Sequence, residues 1–208
     1  MGVTPDSFPE LLKRRRMVRD YLPDPIDHET IERIVGTVRR APSAGFSQGH
    51  RLVVVTEPET RRELARLAGE EEYIAMGLPP WISVAPVHVV IGVREASYHE
   101  RYQKDDKLVD GREITWPAPY WYVDSGSLFM LIQLAALSEG LGAGVYGVPG
   151  EAVPELKQLL GMPDDVHFNC IVTIGKKPPD ADDSPQVSRL TQRRLPLDQL
   201  VHWEHWDS

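Results

Sequence analysis

Residues 124–147 read DSGSLFMLIQLAALSEGLGAGVYG, and the order of patterns inside this stretch decides the class of fold. Asp124 opens the longest apolar-periodic segment of the chain: Leu128, Leu131, Ile132, Ala135 and Ala136 return at helical spacing on one broad face, and Gly140 ends it. So wide a stripe predicts a central, nearly buried helix. Four glycines then fall within the eight residues Gly140–Gly147. Gly140-Leu141-Gly142 has the opening of a dinucleotide fingerprint, but that fingerprint needs a strand before it and a helix starting inside it. Here the helix comes first and the β-type residues Val145 and Tyr146 follow. A doubly wound dinucleotide domain is therefore rejected.

Working outward, Arg51–Thr56 (RLVVVT), Pro86–Val93 (PVHVVIGV) and His167–Ile174 (HFNCIVTI) are too short and too β-branched for helices and predict buried strands. Asp27 caps a helix carrying Ile31, Ile34, Val35 and Val38 as far as Arg40. Thr56 and Pro58 open another, with Leu64 and Leu67, stopped by Gly69; a third carries Val153, Leu156, Leu159 and Leu160 and is closed by Gly161. With no internal repeat and no low-complexity linker, the order of elements predicts one α+β domain over residues 1–208, several helices around a small sheet. Residues 184–208, containing Trp203 and Trp206, read as a C-terminal extension. The stretch 98–122 is different: it holds six of the sixteen aromatics, mixed with charges and with Pro117 and Pro119. It reads as an irregular lid or binding loop, with an interface flap as the alternative.

A chain of 208 residues, 41% hydrophobic and 26% charged, builds a core large enough to need no disulfide staples. Lys and Arg number 23 against 31 Asp and Glu, a formal charge of −8. That balance argues against a general nucleic-acid or anionic-membrane partner, while leaving room for a local basic pocket for one small anion. Cys170 is the sole cysteine, which excludes an internal disulfide and a cysteine-cage metal site; its neighbours Phe168, Ile171 and Val172 predict a buried strand thiol. No window approaches the ~18 apolar residues of a membrane span, and the N-terminus lacks a signal-peptide core, so a cytoplasmic protein is expected. The seven histidines are scattered; His202 and His205, beside Trp203 and Trp206, read as tail packing, and no metal is expected. Phosphate-loop, zinc-protease and nucleophile-elbow motifs do not occur.

Three features stand out from this background. Lys13–Arg19 packs five cations into seven residues of an acidic chain; a turn spans Ser43–Ser47; and Arg193-Arg194 lies near the C-terminus. The basic spots read either as solvated helix ends or as two arms converging on one phosphate, whose oxygens guanidinium forks match in bidentate geometry.

Arg15-Arg16-Met17-Val18-Arg19-Asp20-Tyr21 resembles the R-R-S-x-R-x-F opening of the nitroreductase family of flavoenzymes, and Ala41–Gln48 (APSAGFSQ) resembles that family's A-P-S-x-x-N-x-Q-P-W turn. The order of helix, turn, strand, aromatic region, long helix, glycine-rich segment, strand and late arginine is also similar, over roughly residues 12 to 201. The resemblance implies a small, mostly antiparallel central sheet surrounded by helices, and an obligate homodimer with FMN lodged at the subunit interface. It implies that Arg15, Arg16 and Arg19 hold the phosphate, ribityl chain and pyrimidine edge, with Met17 in the serine slot. Ser43 would reach the flavin from the partner subunit, with Pro42, Ala44 and Ser47 in the same turn. Tyr146 and Gly147 would pass the ring near N5, and Arg194, together with Arg193, would close on the phosphate.

The implied activity is hydride transfer from NAD(P)H through flavin N5 to a nitroaromatic, quinone or other conjugated acceptor in alternating half-reactions. The chemistry belongs to the cofactor, so no catalytic side chain is expected. Tyr98, Tyr102, Trp116, Tyr120 and Trp121 are the candidates for an aromatic substrate lid. Three departures bear on this: Met17 replaces a hydroxyl residue, Phe46 stands where asparagine is common, and Gly49-His50 replaces a Pro-Trp pair. The ending Arg194–Gln199 (RLPLDQ) resembles the deiodinase branch, which relies on a threonine near N5; Gly147-Val148 has no hydroxyl there, favouring two-electron transfer. The alternatives are a reductive dehalogenase, a flavin-destroying lower-ligand synthase, or a flavin- or deazaflavin-binding protein without turnover.

Overall fold

The β-branched runs on either side of the glycine segment pair with each other in the computed structural model, which describes residues 7–77, 79–179 and 194–206. Strands β1 (His50–Val55), β2 (Val87–Val93), β3 (Gly142–Tyr146) and β4 (His167–Gly175) form one antiparallel sheet of order β1-β2-β4-β3. Val89 sits opposite Val172, and Gly144 opposite Thr173. Ile91 pairs with Cys170 and Gly92 with Phe168, so Asn169 is the extra residue of a bulge. Every residue of β2 is buried, which explains why the run is continuously apolar: both faces of the sheet are covered. Burial also pushes the Cys170 thiol up to about 11, the state of an unreactive strand cysteine.

The described helices are α1 (Phe8–Arg14), α2 (His28–Gly36), α3 (Pro58–Leu67), α4 (Glu70–Ala75), α5 (Ala96–Tyr102), α6 (Tyr120–Ser138) and α7 (Val153–Leu160). Asp27 caps α2 by accepting the Thr30 N–H at 2.8 Å, and the helix tightens into a 3-10 turn over Thr37–Arg40. On one face of the sheet, Val89, Ile91 and Val172 pack against Ile34 of α2 and Leu128 and Ile132 of α6. On the other, Val90 and Ile171 meet Leu64 of α3, Leu156 of α7 and the Trp81-Ile82 turn. Each such buried side chain contributes roughly 1.5–3 kcal/mol of transfer free energy. The predicted small-sheet α+β architecture is the one observed.

Residues 98–122 correct the reading of an irregular loop. Tyr98 and Tyr102 lie on α5, and α6 begins at Tyr120, one turn before Asp124. Asp124 therefore lies inside the helix it was expected to open; it is buried, and one carboxylate oxygen accepts the Ala44 N–H at 2.9 Å and the Tyr98 hydroxyl at 2.7 Å. Pro119 occupies the N-cap position, and Trp121 in the first turn packs on Tyr98 with ring centroids 6.0 Å apart. The aromatics are a satellite core.

By its internal contacts the chain divides into two compact units, Met1–Lys177 and Pro178–Ser208. The elements above all belong to the first. In the second, the described residues make a 3-10 turn at Leu197–Gln199, and the His202 and Trp206 rings stack at 4.3 Å. Among the described residues no helix is long and apolar enough to cross a membrane.

Candidate functional site

The arginine-rich segment is held against the free edge of β3. After α1 the chain turns extended at Arg15, and the Val18 N–H donates to the Ala143 carbonyl at 3.0 Å. The Tyr21 hydroxyl donates to the Val18 carbonyl at 3.0 Å and shares a hydrogen bond with Thr173 Oγ1 at 2.8 Å; burial pushes this phenol well above its ordinary range. The Leu22 N–H then donates to the Lys176 carbonyl at 2.9 Å. Glycine is required here by close approach: a Cβ on Gly144 would lie 2.2 Å from the Val18 carbonyl oxygen, and one on Gly142 2.9 Å from Val18 Cγ2. The glycine run therefore serves first to seat residues 15–21.

Val18 turns inward, while Met17 and Arg19 face outward. On the inner side, Arg14, Arg15, Arg16 and Lys177 line a cleft together with Val18 and Gln133. The Arg16 guanidinium curls back, donating through one nitrogen to the Lys13 carbonyl at 2.6 Å and the Arg15 carbonyl at 3.0 Å. Gln133 projects from α6 at 2% exposure, and among the described residues neither its amide oxygen nor its nitrogen has a partner. An unsatisfied buried amide costs roughly 1–3 kcal/mol per group, so the cleft holds four cations beside a side chain that lacks a partner for both ends.

Arg19 stands at the other end of the segment, its guanidinium carbon 5.7 Å from the centroid of the Trp81 ring. Trp81 in turn meets Tyr146 edge-on at 5.7 Å. Tyr146 is buried with its hydroxyl 2.8 Å from His88 Nδ1, so its side chain belongs to the core and only its backbone can face a ligand. Gly147 emerges into the open, with nothing within 4 Å of the position a Cβ would take.

The turn at residues 42–48 is held by α5 and α6. The Ala44 N–H is anchored on Asp124, the Ser43 hydroxyl accepts the Gln48 N–H at 3.0 Å, the Ser47 hydroxyl donates to the Ala44 carbonyl at 2.6 Å, and Arg101 Nε donates to the Gly45 carbonyl at 3.0 Å. Gly45, Phe46 and Gln48 all have left-handed backbone (φ 59°, 60° and 49°). For a bulky residue such as Phe46 that conformation is strained, by about 1–3 kcal/mol, and its ring is 70% exposed. Pro42 is exposed at the rim.

Two lid candidates are corrected to core: Tyr98 is fully buried and Trp121 is 9% exposed. The Tyr98 hydroxyl is satisfied by Asp124 and the neighbouring Trp116 indole N–H donates to Glu113 at 2.7 Å, whereas the Trp121 indole nitrogen is buried with no partner among the described residues. The Tyr102 and Trp116 rings meet at a 60° tilt with centroids 4.4 Å apart and are half-buried, and Tyr120 is the most exposed of the five. Glu113 also holds His99 Nδ1 at 2.6 Å, which raises the His99 pKa.

The structure thus joins Arg15 and Arg16 to Gln133 and Lys177, and Arg19 to Trp81 and Tyr146. Arg194 belongs to the second unit and Arg193 lies outside the described residues. Gln133, Lys177, Trp81 and His88 were not singled out from sequence. Gln133 had a usable signal, a lone amide inside the apolar run Leu131–Leu137; Trp81 and His88 are read only from tertiary contacts.

A family description, Nitroreductase family, matches residues 12–176. The chain is 29% identical over 215 residues to the 5,6-dimethylbenzimidazole synthase of Rhodobacter capsulatus, covering 96% of this chain and 95% of that one. It is 28% identical over 193 residues to the NADPH-flavin oxidoreductase of Vibrio harveyi, covering 93% and 72%. Its fold superposes with a TM-score of 0.71 on a nitroreductase family protein from Streptococcus pneumoniae, at 20% identity and with 95% and 100% covered.

Proposed function

The chain belongs to the nitroreductase family, and from that premise we propose that it is an FMN-dependent oxidoreductase that draws on NAD(P)H and reduces a nitroaromatic, quinoid or other conjugated small molecule. The observation that carries the reading is the cleft where Gln133, without a partner at either amide atom among the described residues, lies beside Arg14, Arg15, Arg16 and Lys177. These residues fit the phosphate end of FMN: guanidinium groups neutralise its charge and the amide N–H donates to an oxygen. Arg19, steadied over Trp81, is assigned to the pyrimidine edge, where positive charge favours the reduced, anionic ring. The open backbone at Gly147 is assigned to the N5 side of the ring, with Tyr146 contributing main chain only. Met17 makes an apolar contact in place of a hydroxyl.

FMN, when bound, supplies a two-electron carrier, so the chain's own residues bind and orient and none acts as acid or nucleophile. Pro42, Ser43, Ala44 and Ser47 are assigned to the flavin of a second copy in a homodimer, and Arg194, with Arg193, to the phosphate. The lid role falls to Tyr120, Trp116 and Tyr102, whose rings remain partly open to solvent. The similarity to an NADPH-flavin oxidoreductase supports both the cofactor and the nicotinamide donor. Residues 1–208 are assigned to one nitroreductase-like domain with its extension, located in the cytoplasm.

The test is the visible spectrum of the purified protein before and after anaerobic NADPH. A bound flavin that bleaches with reduced nicotinamide and recovers with a quinone is the expected result, with parallel lines in double-reciprocal kinetics. Flavin that NAD(P)H leaves coloured would make the protein a binder without turnover. Protein that takes up no FMN would refute the reading.

A further inference from the structure

Behind Arg19 and Gly147 the first unit holds a polar chain in which Trp81 and Tyr146 are backed by two buried groups, Glu70 and His88, that have no role in the assignments above. Glu70, at the start of α4, is buried, and its Oε1 accepts the backbone N–H of Trp81 at 2.8 Å and of Ile82 at 2.5 Å. The Ser83 N–H is shared between its two oxygens at 3.1 and 3.2 Å. One carboxylate thereby closes the turn that carries Trp81, and the indole of that residue sits between the Arg19 guanidinium and the Tyr146 ring. The same turn offers the Ile82 carbonyl to His88 on β2, whose Nε2 lies 2.9 Å away. A carbonyl only accepts, so Nε2 carries the proton; Nδ1 is then a lone pair, and it accepts the Tyr146 hydroxyl. The imidazole tautomer follows from the geometry, and the bond ties β2 to β3 across the intervening β4.

Packing alone does not ask for these groups. An aliphatic residue at 88 and Phe at 146 would fill the same core without burying an imidazole and a hydroxyl, which are tolerated only when every donor and acceptor is satisfied. Here both imidazole nitrogens and the hydroxyl have a partner, and the chain ends at two surface points, the Arg19 guanidinium and the peptide that follows Tyr146. We propose that Trp81 and Tyr146, fixed by Glu70 and His88, are positioning residues that hold Arg19 and the Gly147 backbone in register with a bound flavin ring. The inference rests on the FMN reading above. Arg19 would otherwise sample many rotamers; stacked on an indole that cannot rotate, it presents its charge at one place. A charge so placed binds the reduced ring more tightly than the oxidised one, so displacing it changes the ratio of the two affinities. Burial pushes the His88 pKa down to about 4, so the pair keeps one protonation state at neutral pH.

The experiment titrates FMN into flavin-free protein by fluorescence quenching, and measures the midpoint potential of the bound flavin by dye equilibration, for the wild type, Tyr146→Phe, Trp81→Phe and Ile34→Val. Tyr146→Phe removes one hydroxyl and is expected to weaken FMN binding roughly threefold to tenfold. It also lowers the affinity ratio of reduced over oxidised flavin by up to tenfold, a potential drop of about 30 mV for a two-electron couple. Trp81→Phe keeps a ring and the backbone N–H on Glu70, moves both quantities in the same direction, and carries the test alone if Tyr146→Phe does not fold. Ile34→Val, on the opposite face of the sheet, loses unfolding stability without moving the potential. Folded Tyr146 and Trp81 variants with wild-type affinity and potential would overturn the positioning role while leaving the FMN assignment standing. A wild type that quenches no FMN fluorescence would bring down the functional reading, and this inference with it.

Discussion

Replacing Gln133 by Met should move stability and ligand binding in opposite directions. The substitution keeps an unbranched chain of similar length and volume, so the surrounding packing on α6 is disturbed little. It removes an amide that is 2% exposed and has neither atom paired among the described residues. The desolvation penalty relieved is roughly 1–3 kcal/mol, which for a chain of this size raises the unfolding midpoint by about 2–4 °C per kcal/mol. If the amide donates to the phosphate of FMN, its loss costs a hydrogen bond to a charged group, roughly 1.5–3 kcal/mol, or about 10- to 150-fold in affinity. Thermal denaturation of flavin-free protein and fluorescence titration with FMN measure the two effects separately. A Gln133→Met protein that melts lower than wild type and binds FMN equally well would refute the argument, since the amide would then be serving the fold and not a ligand.

Gly144→Ala drives a Cβ to within 2.2 Å of the Val18 carbonyl oxygen, so it should cost about 1–3 kcal/mol and loosen residues 15–21, whereas Gly147→Ala meets open space and should leave the melting temperature nearly unchanged. Arg194→Ala should lower the fraction of protein purified with FMN, read from the flavin-to-protein absorbance ratio, because it removes a contact assigned to the phosphate. His88 gives a defined acid limb: its folded pKa, about 4, lies below the unfolded value near 6.5, so the unfolded chain binds the extra proton and stability falls as pH drops from about 6.5 toward 4. The slope should flatten in His88→Gln under urea titration at several pH values. His99 has the opposite sign, because Glu113 and then Glu95 raise its folded pKa; its contribution is complete below pH ~6.5, fades as pH rises through the raised value, and disappears in His99→Gln.

Three strands were legible as short β-branched runs: Arg51–Thr56, Pro86–Val93 and His167–Ile174 were expected, and His50–Val55, Val87–Val93 and His167–Gly175 are observed, although only Val87–Val93 is buried throughout and in the edge strand His50–Val55 only Val55 is. The start of α6 was not, because Pro117, Pro119 and the cluster Tyr120-Trp121-Tyr122 look like loop chemistry, while Trp121 becomes helical only by packing on Tyr98 of a distant segment. α5 was not legible either, because Tyr98 and Tyr102 sit in a stretch whose charges and prolines read as irregular. The arginine segment was visible as a charge contrast. Its seating on β3 was not, because the requirement for glycine at 144 arises from Val18, 126 residues earlier in the chain. Gln133 shows the same limit: spacing marks it as an oddity on an apolar helix, and only the folded neighbourhood reveals that its amide has no partner among the described residues.

The outermost strand of a sheet is a template on which a stray chain can add itself. In this protein the border beyond β3 is already taken by residues 15–22, whose Val18 N–H occupies the Ala143 carbonyl and whose cations crowd the approach. A protease that clipped the chain just after Leu22 would therefore do two kinds of damage at one stroke. It would strip charge from the cleft proposed to hold the FMN phosphate, and it would uncover a sticky rim, so that on that reading turbidity and the release of coenzyme begin together.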